Sequence, residues 1–387
     1  MQVNQVYQIV NGATEQVTGR SDLLNEDLSN VVDTGNEIFN LDNAYNKICN
    51  ALIDHIGRMV FVNRPYSGAA PSLLRDGWEY GSIMEKIASD LPEATVNESW
   101  ELEDGASYDP FVFKGTTVDV KFFNKRVTFE LDKSIVDRQL RSAFTSATQL
   151  NAFISMLFNE VDKSMTIKND ALTMRTINNF IAETLYADYG SAAYSSKSGI
   201  KAVNLLYMYN QKFSKNLTAA NAVTDPDFLR FASYQMGLYQ DRMRRMSTLF
   251  NVGGKNRFTP SDMLHIVYLS EFEKAAGVYL YDAANQFNSE ELKFPTAEVV
   301  PFWQGSGTDY AFGNTSKIYV TTEGGHSVQA TGIIAIMFDR DAMGIMNENS
   351  RVETQRNPKA EFTNYFYKRD AQYFNDLNEN FVVFFVA

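Results

Sequence analysis

The chain has 387 residues, 44% hydrophobic and 13% aromatic, so it belongs among globular proteins able to bury a large core or to divide into subdomains. Its formal charge of −12 argues against a protein whose task is to grip nucleic acid, since phosphate neutralisation needs clustered Lys and Arg. One cysteine, Cys49, rules out an internal disulfide framework, which suits a reducing cytoplasm or a fold with no need of staples.

The first cation is Arg20, so the start lacks the basic region of a secretory signal. The longest apolar runs, 332–338 and 381–387, fall far short of the ~20 residues that a membrane helix requires. A soluble intracellular product without a membrane segment is expected. Residues 1–40 are polar and weakly periodic, which reads as an arm lying over something else. Residues 42–60 read as a helix, with Ala44, Ile48, Leu52, Ile53 and Ile56 at three- and four-residue steps and Asp42 as N-cap.

Residues 61–115 are punctuated by Pro65, Gly68, Pro71, Gly77, Gly81, Pro92, Gly105 and Pro110, with strand-like pieces between them. This predicts an excursion of paired strands with the acidic stretch ESWELEDG (98–105) at its far side. Such an excursion cannot bury both faces alone, so it needs a partner surface. From 116 to 189 there is neither glycine nor proline. Residues 116–131 alternate as a strand (Val118, Val120, Phe122, then Val127, Phe129, Leu131), and 134–144 read as a short helix. Ser146 to Gln149 fits a capping box that opens a helix running to Tyr189. Leu150, Ile154, Leu157, Val161 and Met165 mark one face, and Leu172, Ile177, Ile181 and Leu185 continue it with drift. At ~1.5 Å per residue it spans roughly 60 Å, the length of a molecular spine.

Residues 191–339 read as a separate mixed domain. Strands are expected at 202–209, 265–269, 299–303, 317–322 and 331–338, and helices at 227–249 and 271–286. From Arg340 the chain is expected to return beside the long helix, through a turn at Asn357–Pro358 and an aromatic strand. The segment 380–387 (NFVVFFVA) reads as a strand covered on both faces.

No constellation demands chemistry. His55, His265 and His326 fall on a helix, a strand and a turn without metal-ligand spacing, and read as separate structural histidines. Gly253-Gly-Lys255 lacks the first glycine and the following Ser/Thr of a phosphate loop, and Gly305-Ser-Gly307 lacks the third glycine of a dinucleotide fingerprint. Asp339 and Asp341 flank Arg340, which would keep a neighbouring carboxylate ionised, contrary to the need of a general acid. Glu101, Glu103 and Asp104 lack the calcium-loop pattern. Arg242, Arg244 and Arg245 suit an inter-subunit contact in so acidic a chain. No catalytic, cofactor-binding or metal residues are therefore assigned, and no cofactor is expected.

Several segments together resemble the major capsid proteins of tailed bacteriophages with the Hong Kong 97-type fold, most closely the phi 29-type podophage group. They are IIAIMFDRDAMG (333–344), VETQRNP (352–358), NYFY (364–367) and FNDLNENFVV (374–383), with DHIGRMV (54–60) and HIVYLSE (265–271). The resemblance implies an α+β capsid fold: an N-terminal arm (1–40), an N-terminal helix (41–60), an extended β-hairpin loop over a neighbouring subunit (61–115) and a peripheral domain with its spine helix (116–190). An axial domain (191–339) and a return to the peripheral domain (340–387) follow.

It further implies a non-enzymatic structural protein. Copies would self-assemble as hexamers and pentamers into an icosahedral or prolate shell around double-stranded DNA, bound without sequence specificity. A separate scaffolding protein is expected, because no long charged helical segment precedes the arm; a portal and decoration proteins complete the partners. No C-terminal immunoglobulin-like domain is expected. The product would reside in the virion after assembly in the bacterial cytoplasm. Two alternatives are an encapsulin-type compartment of the same fold and a carboxylate-based carbohydrate-active enzyme. The enzyme would need two acids in an aromatic cleft, yet Trp78, Trp100 and Trp303 lie in different segments.

Overall fold

The computed structural model describes residues 73–75, 84–89, 118–136, 147–279, 298–303 and 316–387, with scattered positions between 7 and 34 and between 94 and 115. In chain order these form β1 (Leu74–Arg75), β2 (Met84–Ser89), β3 (Val118–Phe123), β4 (Arg126–Val136), α1 (Ala147–Tyr189), β5 (Ala202–Asn204), α2 (Leu205–Phe213), α3 (Ala219–Ala222) and α4 (Pro226–Met243). Then come β6 (Leu264–Leu269), α5 (Ser270–Tyr279), β7 (Glu298–Val300), β8 (Ile318–Thr321), β9 (Ser327–Ala330), β10 (Ile333–Asp339), β11 (Met343–Asn357), β12 (Phe362–Asn375) and β13 (Phe381–Phe385). Two compact units result: Met1–Gly81 with Lys125–Arg175 and Ile345–Tyr373, and Ser82–Asn124 with Thr176–Gly344 and Phe374–Ala387.

The first unit is organised by a four-stranded sheet in the order β1-β11-β12-β4. β4 and β12 pair antiparallel from Phe362↔Val136 to Gln372↔Arg126. The period-2 alternation of β4 turns Val127 and Phe129 inward, where with Tyr373 they cover Leu172 of α1, Ile345 and Ala371. The polar residues between them meet cross-strand partners: Thr128 Oγ1 donates to Asp370 (2.6 Å), Arg351 donates to Asp370 (2.5 Å), and Lys368 lies between Glu130 (3.6 Å) and Glu353 (3.4 Å). The expected turn at Asn357–Pro358 joins β11 to β12. Asn357 Oδ1 accepts from the Lys359 and Ala360 N–H groups, and Glu361 takes the left-handed conformation at φ 51°.

The second unit carries a five-stranded sheet in the order β5-β13-β10-β6-β7. β13 runs antiparallel to β10 and parallel to β5. All five of its residues are buried, as the apolar run requires of a strand covered on both faces. Phe381 stacks on Phe180 of α1 (4.1 Å), Phe385 meets Tyr189 of α1 edge-on (5.9 Å), and Phe384, of opposite parity, meets Tyr239 of α4 (5.4 Å). Within this unit α1 is buried nearly all round, at Ile177, Phe180, Ile181, Ala182 and Leu185, which accounts for the drift of its apolar face.

α1 has the bounds its pattern predicts. Other expectations are corrected. The alternation at 116–131 is two strands, β3 and β4, and its phase changes between Phe122 and Val127 where they part. Ser134, Ile135 and Val136 finish β4 and do not start a helix. Of the strand expected at 202–209, only β5 is extended: Asn204 Oδ1 accepts from the Tyr207 N–H (3.1 Å) and caps α2. The helix expected at 227–249 starts at Pro226, capped by Asp225, and stops at Met243, because Ser247 instead bridges antiparallel to Arg257. β13 lies in the second unit, hydrogen-bonded to β5 and β10 and packed through Phe381 and Phe385 on α1. The helix expected at 42–60, Cys49 and most of 1–40 and 61–115 lie outside the described residues.

Candidate functional site: an ionic anchor for a two-stranded ribbon

β2 and β3 form an antiparallel ribbon with directly opposed pairs Glu85↔Phe122, Lys86↔Lys121, Ile87↔Val120, Ala88↔Asp119 and Ser89↔Val118. Opposed residues share a face. One face carries Ile87, Val118, Val120 and Phe122, with Glu85 and Ser89 at its two ends, all exposed, and Ile87 at 65% and Phe122 at 64%. The other carries Lys86, Lys121 and Asp119 and is half-buried or spoken for by ion pairs. The ribbon is amphipathic with its charged side turned inward, the reverse of a soluble strand pair.

The loop 376–380 (DLNEN), between β12 and β13, holds that charged face. Asp376 Oδ2 lies 2.8 Å from Lys86 Nζ and Oδ1 lies 3.0 Å from Lys121 Nζ, with the Asp376 side chain 2% exposed. Glu379 Oε1 accepts from Lys86 Nζ (2.6 Å) and from Arg257 Nε (3.2 Å). Lys255 adds a pair with Asp119 (2.6 Å). Two lysines directly opposed on a ribbon repel each other, and one shared carboxylate turns the repulsion into a clamp. Burial alone would push the Asp376 carboxyl up, yet hydrogen bonds and charge from Lys86 and Lys121 hold it below the usual carboxylate range. Burial would lower Lys86, but its bonds to Asp376 and Glu379 raise it.

Backbone contacts fix the loop itself. The Asp376 N–H donates to Ala342 O (2.7 Å), Gly253 N–H to Leu377 O (2.8 Å), Phe381 N–H to Phe250 O (2.8 Å) and Asp339 N–H to Asn380 O (2.9 Å). Gly253 is thus a packing residue, not part of a phosphate loop. A Cβ there would fall well inside van der Waals distance of Asn378 Oδ1. Replacing Gly253 with Ala should destabilise the protein by about 1–3 kcal/mol, because the loop must shift to admit the methyl group. Thermal denaturation of the variant checks this.

The other residues weighed from sequence are not brought together. Asp339 is buried, accepts from the Asp341 N–H (2.8 Å) and is pushed up chiefly by that burial; it braces the turn after β10. His265 stacks on Phe338 (5.7 Å), and His326, in the β8–β9 turn, stacks on Tyr186 of α1 (4.1 Å). Trp303 is buried and donates to Ile333 O (2.8 Å), so it lines no cleft. Arg242, Arg244 and Arg245 sit at and just after the end of α4. His55, Trp78, Trp100, Glu101, Glu103, Gly305 and Gly307 lie outside the described residues. Among the described residues no cluster of His, Cys, Asp or Glu is arranged to hold a metal, and no helix is long and apolar enough to cross a membrane. Sequence reasoning missed Asp376, Glu379, Lys86 and Lys121. The one available signal was the alternation of β3, which sets its lysine opposite in phase to Val118, Val120 and Phe122.

Buried charge positions an apolar ribbon in a chain that combines helices with separate sheets, a fold of the α+β class. The family model of Phi29-like phage major capsid proteins matches residues 6–385, and the chain belongs to that family, whose members are structural proteins rather than enzymes. The major capsid protein of Bacillus phage GA-1 is 21% identical over 323 residues, which are 83% of this chain and 56% of that protein. The chain therefore spans little more than half the length of that curated relative. A chain in the structure of the head fiber and inner core protein gp22 of native bacteriophage P68 shares the fold, with a TM-score of 0.50 at 9% identity over 84% of this chain and 86% of that one. The capsid structure of Staphylococcus phage Andhra aligns over 81% of this chain and 83% of that one at 10% identity, with a TM-score of 0.48. The fold is the Hong Kong 97-type capsid fold that the sequence resemblance implies.

Proposed function

We propose that copies of this chain assemble as hexamers and pentamers into the icosahedral or prolate shell that encloses the double-stranded DNA of a tailed phage. The observation that carries this beyond family membership is the inverted ribbon, whose apolar face stays in water until another subunit covers it. Two strands with one wet apolar face are marginal alone, and symmetric association buries what each copy exposes. The first unit, with the β11–β12 hairpin, plays the peripheral part. The second, with its five-stranded sheet, gathers around the symmetry axes. Residues 1–40 serve as the arm, 41–60 as the N-terminal helix, and the loop beginning at 61 carries the ribbon onto a neighbour. A separate scaffolding protein, a portal and decoration proteins complete the particle, which is built in the bacterial cytoplasm and persists as the virion. An acidic wall suits a container that encloses DNA without holding it tightly.

Electron microscopy and light scattering of the purified chain, with and without scaffolding protein, should reveal shells or six- and fivefold rings. Glu at both Ile87 and Phe122, which leaves the lysine face intact, should yield folded subunits that do not assemble. A monodisperse monomer from the unaltered chain under both conditions would overturn the reading.

A further inference from the structure

The turn after α4 is a second exposed apolar surface, and unlike the ribbon it is basic. Arg244, Arg245, Met246 and Leu249 are exposed in sequence, and the antiparallel bridge between Ser247 and Arg257 (2.9 and 3.0 Å) brings exposed Phe258 beside Met246. Arg244 reaches Asp241, at 3.3 Å on the surface, a pairing of little worth. Arg245 has no side-chain partner among the described residues. In a chain of net charge −12 this is a local excess of positive charge set among Met, Leu and Phe. A phosphodiester backbone would use the arginines and leave the apolar residues idle. An acidic peptide that also carries large apolar side chains would use both.

The chain supplies such a peptide. ESWELED, 98–104, carries Glu98, Glu101, Glu103 and Asp104 with Trp100 and Leu102. It lies in the connection between β2 and β3, beyond the end of the ribbon at Ser89 and Val118. Every described position in that connection is exposed: Ala94, Asp104, Phe111 (90%), Phe113 (92%) and Gly115. At those points the connection offers its surface to solvent. We infer that the turn formed by Arg244, Arg245, Met246, Leu249 and Phe258 receives the acidic segment 98–104 of a second copy, with Trp100 and Leu102 on the apolar residues and the carboxylates on the arginines. This rests on the shell reading and adds to it the receiving surface and the segment it takes.

Charge reversal with rescue tests it in the full-length chain. R244E/R245E and E101K/E103K should each lower the assembled fraction about tenfold or more, because like charges then face each other across the contact. The quadruple variant should recover to within a few-fold of the unaltered protein. In a C49S background, shells assembled from a mixture of E101C and R245C chains should form disulfide-linked dimers, and shells of either chain alone should not. Reversal without effect, reversal without rescue, or a cross-link that forms only within a chain carrying both cysteines would overturn the inference. Normal shells of R244E/R245E that retain less DNA would also overturn it, and would make the turn a nucleic-acid surface. If the unaltered chain forms no particles, the shell reading falls first. If it does and the reversals are silent, only this contact falls.

Discussion

Deletion of residues 381–387 is expected to abolish soluble folded protein, not merely to weaken assembly. β13 fills the position between β5 and β10, so its loss leaves both neighbours with unpaired edges inside the unit. It also exposes the residues that Phe381, Phe384 and Phe385 cover on α1 and α4. Burying three Phe and two Val contributes about 8–15 kcal/mol as an upper bound, against a total domain stability of about 5–15 kcal/mol. Far-UV circular dichroism and sedimentation of the truncated chain should find aggregate without a cooperative melt. A truncated chain that melts cooperatively and forms normal shells would mean that β13 is dispensable, which its burial forbids.

The second large effect is expected at Asp376. Asn in its place removes the charge shared by Lys86 and Lys121, leaving two opposed ammonium groups of which Lys86 keeps its pair with Glu379. Truncating one partner of a buried charge pair costs about 2–5 kcal/mol, and the partial exposure of both lysines puts this case near the lower end, at about 2–3 kcal/mol. Hydrogen exchange should rise roughly thirtyfold or more in β2 and β3 while β10 and β13 stay protected. Adding Met at both Lys86 and Lys121 should restore much of the protection, because the stranded charges are then gone. Uniform loss of protection across the second unit would mean that the loop holds the fold as a whole and does not anchor the ribbon in particular.

The same geometry gives a pH dependence with a definite sign. Asp376 is held below its ordinary value, so its contribution is present above the unfolded carboxylate value of ~3.9 and is lost as pH falls through the folded one. Lys86 is raised, so its contribution is complete below ~10.4 and is lost as pH rises through its folded value. Asp339 opposes the acid limb: burial raises it, so protonation relieves a cost. The ribbon should therefore exchange slowly between roughly pH 4 and 10 and faster on either side, with the acid limb moved or removed by Asp376→Asn.

Much of this fold was legible because local pattern and burial agree. α1 could be bounded to the residue by a capping box at one end and Gly190 at the other, with no breaker between them. β6, β8, β10 and the turn at Asn357 were legible for the same reason. Where one side chain decides, periodicity is blind: AVNLLYMY at 202–209 suits a buried strand as well as a buried helix, and only the Asn204 cap sets the change at Leu205. The anchor was not legible at all. Lys86, Lys121, Asp376 and Glu379 come from segments hundreds of residues apart, and no local rule announces that two lysines on a ribbon will share one carboxylate. The segment FNDLNENFVV nevertheless carried the family resemblance, and the anchor now supplies a physical reason for those residue types.

The order of synthesis gives β13 one more consequence. It pairs with β5 about 180 residues upstream, and with β10 as well. At ~5–20 residues per second, β5 waits about ten to forty seconds on the ribosome for its partner. Until then the ribbon has no anchoring loop either, since 376–380 directly precedes β13. A nascent chain thus lacks a positioned ribbon until the anchoring loop and β13 have both been made.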